Sequence, residues 1–130
     1  NAYEPLMPGD VMAFQDPLEI FSAIDLELYL SPEYYYNSFT EETSFACLYG
    51  GSFTFGPSDV GESYNFTNCE FTKGFAITGT GSFNYETSVF TLETKVSGKK
   101  TGTLTYTHDY SSDSFSVTGE YGGETINLSQ

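Results

Sequence analysis

Apolar and polar residues alternate along most of this chain with a period of two, the spacing of a strand with one buried and one wet face. From Leu18 to Leu30 the even positions read Leu18, Ile20, Ser22, Ile24, Leu26, Leu28 and Leu30, and the odd ones include Glu19, Asp25, Glu27 and Tyr29. This predicts a long strand ended by Pro32, whose ring removes a ladder donor. A helix is the alternative, since Leu and Glu are good helix formers, but a helical stripe leaves several of those leucines facing water.

Beyond Tyr34–Asn37, the same alternation predicts strands at 43–49, 52–56, 63–72, 74–85, 88–97, 102–108, 114–121 and 124–129. Turn chemistry separates them: Lys73-Gly74, Glu86-Thr87, Gly98-Lys99-Lys100, Tyr110 to Asp113, and Gly122-Gly123. A Gly-Gly pair between alternating segments is a strong two-residue hairpin signal, because both positions accept positive φ. So many short strands at such spacing indicate a sandwich, a jelly roll or a closed barrel, and the expectation adopted is an all-β, antiparallel β-sandwich of jelly-roll-like form, with an extended N-terminal strand as an addition.

That addition lies in Met7-Pro-Gly-Asp-Val-Met-Ala-Phe-Gln-Asp-Pro17. Pro8-Gly9 breaks the chain before it, and Pro17 biases Asp16 away from helix. Between the breaks Val11, Met12, Ala13 and Phe14 form one short apolar strand. The chain therefore divides into an N-terminal extension, residues 1–17, and a β-sandwich domain, residues 18–130. Its 130 residues suffice for one domain that buries roughly two thirds of its unfolded surface.

Composition agrees with this class. There are 12 Phe, 11 Tyr, 13 Gly and no Trp, a mixture suited to pleated surfaces joined by turns. Charge narrows the partners: four lysines against 18 acidic residues leave a net charge of −14. Such a surface repels phosphate backbones and anionic lipid, so nucleic acid is not an expected partner. No run of 18 or more apolar residues predicts membrane insertion either. The acidic residues are spread along the chain, and solubility alone accounts for them.

Cys47 and Cys69 lie on separate apolar-patterned segments. They are either a disulfide or two buried thiols, and the Ser, Thr, Tyr and Gly-rich composition, typical of exported surface proteins, favours the disulfide. Its loop of about 23 residues is worth about 3 kcal/mol in the chain-entropy model. Two sequons, at Asn65 and Asn127, offer glycosylation sites. Opening on Asn1, the chain is compatible with removal of an export leader, and an extracellular or cell-surface location is expected.

Chemistry-bearing constellations are scarce. His108 is the single histidine, beside Asp109 at a strand end, but no Gly-x-Ser-x-Gly elbow marks a nucleophile. Such a histidine is usually a surface or capping residue, so no catalytic residue is assigned and an enzyme is not expected. Asp59 with Glu62, and Asp109 with Asp113, are oxygen-donor pairs in loops of the kind calcium accepts, though neither follows the twelve-residue loop spacing. Neither is assigned as a metal site, and no cofactor is expected.

Two functional classes remain. Exposed tyrosines such as those in Glu33-Tyr34-Tyr35-Tyr36-Asn37 offer stacking faces to sugars, the usual basis of shallow glycan sites on β-sandwiches. The N-terminal segment favours the other class. A terminal strand is exchanged at little loop entropy, and burying Val11 or Met12 with Phe14 in a neighbour gains roughly 1.5–3 kcal/mol per side chain. An apolar N-terminal strand ahead of one β-sandwich resembles the subunits of extracellular fibres built by donor-strand complementation, as in bacterial pilins. The resemblance implies a structural subunit that polymerises head to tail with copies of itself through Val11, Met12, Ala13 and Phe14. The alternative is a secreted glycan-binding or adhesin module.

Overall fold

The computed structural model describes residues 16–30 and 43–130, side chains at 29 and 30 excepted. The segment expected as the long first strand is a helix, α1 (Pro17–Leu30). Its start is written locally. Asp16 caps it, its Oδ1 accepting from Glu19 N at 3.0 Å, and Pro17 fills the first helical position, where a missing N–H costs nothing. The proline that keeps Asp16 out of helical φ/ψ gives the cap the backbone it needs.

The alternation misled because this helix is buried on most of its circumference. Leu18, Ile20, Phe21, Ala23, Ile24 and Leu28 are all buried, and so is Asp25. A surface helix shows a narrow apolar stripe, whereas an enveloped one is apolar nearly all round, and its sequence fits a period of two as readily as 3.6.

The remainder is β-structure: β1 (Thr43–Ala46), β2 (Ser52–Pro57), β3 (Gly61–Thr72), β4 (Phe75–Asn84), β5 (Val89–Gly98), β6 (Gly102–Asp109), β7 (Ser114–Tyr121) and β8 (Glu124–Ser129). All eight form one antiparallel sheet in the order β1 to β8. The all-β antiparallel class holds. The connectivity is a plain meander, however, where a jelly roll requires strands to leave their sequence neighbours. Among the described residues there is one sheet, and α1 packs against its inner face.

Alternate residues of the strands meet it. Phe21 stacks on Tyr106 of β6 at 5.4 Å and meets Phe75 of β4 edge-on at 5.5 Å. Phe53, Phe66, Ile77, Leu92, Leu104 and Val117 complete a core with almost no exposure. Each such side chain contributes roughly 1.5–3 kcal/mol by leaving water. The outer positions are polar: Thr54, Asn65, Thr80, Glu93, Thr105, Thr118 and Asn127 stand side by side across β2 to β8.

Cys47 and Cys69 are joined, with Cα atoms 5.5 Å apart. The bridge ties the β1–β2 turn to a bulge in β3, where the pairing with β4 shifts register on both sides of Cys69. Strand β1 stops at Ala46, short of the expected residue 49, because residues 47–51 turn back and Tyr49 N donates to Glu70 O at 2.8 Å. Gly51 makes that approach possible: its φ is +73°, and a Cβ there would lie 1.9 Å from the Asn68 carbonyl oxygen. Gly122 and Gly123, with φ of 61° and 81°, form the expected two-residue hairpin between β7 and β8.

Candidate functional site

A buried carboxylate organises one end of the molecule. Asp25, on the inner face of α1, is 5% exposed. A bare ion there would be costly, and three donors offset the cost. Tyr106 Oη donates to Oδ2 at 2.7 Å, His108 Nδ1 lies 2.8 Å from the same oxygen, and Tyr110 Oη donates to Oδ1 at 2.7 Å. Period two explains the convergence: Tyr106 and His108 are successive inward positions of β6, and Tyr110 continues the row just past its end.

His108 is held on every side. Its ring lies 3.8 Å from that of Tyr110 and 4.0 Å from that of Phe115, near-parallel to both. Its Nε2 meets Asp113 Oδ1 at 3.1 Å, so a carboxylate faces each ring nitrogen. This arrangement ties α1 to the β6–β7 turn. It leaves neither nitrogen of His108 free to activate a nucleophile. Burial, and then the charge of Asp25, push the Tyr106 phenol far above its usual range.

Beside this network lies a cavity of about 550 Å³. Asp25 and Leu28 line it from the helix, Phe55, Glu62, Tyr64, Phe83 and Phe90 from β2 to β5, and Tyr85, Ser88 and Tyr110 from the turns at their ends. The rings brace one another. Phe55 and Tyr64 stack at 4.4 Å, Phe90 meets Tyr64 edge-on at 5.6 Å, and Phe83 stands edge-on to both Tyr85 and Tyr110. Turn chemistry places the rim. Asn84 Oδ1 accepts from Glu86 N at 2.9 Å and Thr87 N at 3.2 Å, Tyr85 N donates to Val60 O, and Tyr110 N donates to Ser88 O.

Glu62 projects from β3 on the same face as Tyr64, opposite Phe83 of β4. Burial raises its carboxyl pKa, and a hydrogen bond from Tyr85 lowers it in part. Tyr64 is also pushed well above the phenol range, first by burial and then by the charges of Glu62 and Asp25. The chemical character is therefore aromatic walls around one available carboxylate. Asp25 forms part of the lining, but its oxygens are committed to three donors.

The residues singled out from sequence are dispersed. Val11, Met12, Ala13 and Phe14 lie outside the described residues, as does Tyr34–Asn37. Asn65 and Asn127 are exposed on outward positions of β3 and β8. Glu62 lines the cavity while Asp59 is exposed in the preceding turn. Asp109, the sequence neighbour of His108, bonds instead to Ser111, whose Oγ donates to it at 2.7 Å and holds the carboxyl below its usual range. Among the described residues no three His, Cys, Asp or Glu side chains are grouped as metal ligands would be. Asp25, assigned from sequence to a wet strand face, is instead the most connected polar group of the core. Its one local sign was a charge between two apolar neighbours, Ile24 and Leu26.

No helix among the described residues is long and apolar enough to cross a membrane. No protein-family model matches the chain, and comparison with curated proteins and with solved structures returns no match.

Proposed function

We propose that this chain is an extracellular binding module whose aromatic cavity takes a compact carbohydrate unit. The observation that carries the reading is the cavity itself, whose size lies within the range of about 300–1,000 Å³ common to small-ligand sites. The rings of Phe83 and Tyr85 suit the apolar faces of a sugar, while Glu62, Ser88 and the tyrosine hydroxyls suit its own hydroxyls. The disulfide fits an oxidising compartment, and glycans at Asn65 and Asn127 would add to the hydroxyl-rich outer face.

Tyr85 gives the direct test, since it is 54% exposed at the rim and its removal does not open the core. Retention on immobilised sugars should weaken about threefold to tenfold in Tyr85→Ala. Retention by the wild type that is indifferent to both Tyr85→Ala and Glu62→Gln would move binding away from this cavity.

A second reading is a filament subunit, and the open sheet supports it. Among the described residues β8 is hydrogen-bonded to β7 alone, so its outer backbone offers a ladder to an incoming strand. In that reading Val11 to Phe14 of one copy extend or fill the sheet of the next. Deleting residues 1–16 should then convert sedimenting polymer to folded monomer; polymer that survives the deletion rules the strand out as the link.

A further inference from the structure

We infer that the occupant of the aromatic cavity carries an ammonium group, an unacetylated amino sugar being its carbohydrate form. This rests on the reading of the cavity as a carbohydrate site and sharpens it. Both charged side chains of the lining, Glu62 and Asp25, are carboxylates. They differ in what they still need. Asp25 already receives Tyr106, His108 and Tyr110. Glu62 has Tyr85 for a partner, and among the described residues no lysine faces it. Among the described residues one phenol compensates this half-buried charge, and burial is what raises the Glu62 carboxyl.

The walls add to this preference. A ring face carries the negative end of its quadrupole, which attracts a cation within about 6 Å of the ring centre, and Phe83 and Tyr85 are lining rings that are not fully buried. A net charge of −14 over the whole chain draws cations toward the surface from a distance. An anionic ligand meets repulsion from Glu62 at contact. A neutral sugar fits the walls but leaves the Glu62 charge as it was. An ammonium group satisfies the carboxylate and the rings together.

Calorimetric titration of the full chain near neutral pH with glucosamine, glucose, N-acetylglucosamine and tetramethylammonium tests the idea. Glucosamine should bind about tenfold or more tightly than glucose or N-acetylglucosamine, the gain of a charge-assisted contact. Glu62→Gln, which keeps the shape and removes the charge, should erase that preference while leaving glucose binding in place. Equal affinity for glucosamine and glucose in the wild type overturns the ammonium inference and leaves the carbohydrate reading standing. Binding of tetramethylammonium with no sugar bound supports the cation preference and overturns the carbohydrate reading. Absence of binding by all four ligands overturns both.

Discussion

Asp25→Ala is the most informative single perturbation of this molecule. It removes the acceptor shared by three donors and leaves their environment otherwise intact. Tyr106 is 0% exposed, so its hydroxyl has no water to turn to, and exchanging the carboxylate for Ser22 alone costs about 1–3 kcal/mol. His108, 7% exposed, keeps Asp113 but loses its inner partner, at a cost of similar size. Tyr110 is half-buried and can reach solvent, so it adds under about 1 kcal/mol. The total is about 2–7 kcal/mol, a large part of the roughly 5–15 kcal/mol that separates folded from unfolded domains. Asp25→Asn retains one carbonyl acceptor and should lose about half as much. Urea unfolding of the three proteins, with the slope held constant, measures the differences. The reasoning fails if Asp25→Ala is as stable as the wild type. That result would mean the network only offsets its own desolvation, as some buried ion pairs do.

Glu62→Gln should stabilise the protein at neutral pH, because the raised carboxyl makes ionisation unfavourable in the folded state. The sign follows from linkage: the penalty is absent below the ordinary carboxylate range and grows as pH rises through the elevated pKa. Melting temperatures of variant and wild type should therefore converge in acid, and divergence there refutes the assignment. Gly51→Ala should cost about 2 kcal/mol or more in chemical denaturation, since the new Cβ meets the Asn68 carbonyl oxygen and φ is +73°. A neutral effect would mean that the β1–β2 turn is free to re-form. Replacing Cys47 and Cys69 together with Ala should lower stability by about 3 kcal/mol, given a sequence separation of 22. A double variant that melts with the wild type would place the loop constraint elsewhere.

Much of this architecture is legible residue by residue. Strands β2 to β8 follow the period-two alternation to within a residue or two, and Gly122-Gly123 announces its hairpin, because pleat and turn are local consequences of side-chain order and backbone freedom. The pairing of Cys47 with Cys69 was likewise favoured by composition. Residues 17–30 were harder. Their Asp-Pro-Leu-Glu opening is a helix signal, yet a helix wrapped by a sheet loses the polar stripe that distinguishes it from a strand.

Amino-acid order alone determined the antiparallel β class, the turns and the acidic surface. Only the tertiary structure decided that the strands form a meander closed by a helix, that Asp25 meets residues 81 to 85 positions away, and that Glu62 faces a cavity. The physical reason is that pleating is set by neighbours in the chain. A buried carboxylate's partners and a cavity's walls are set by register across strands, which no local pattern encodes.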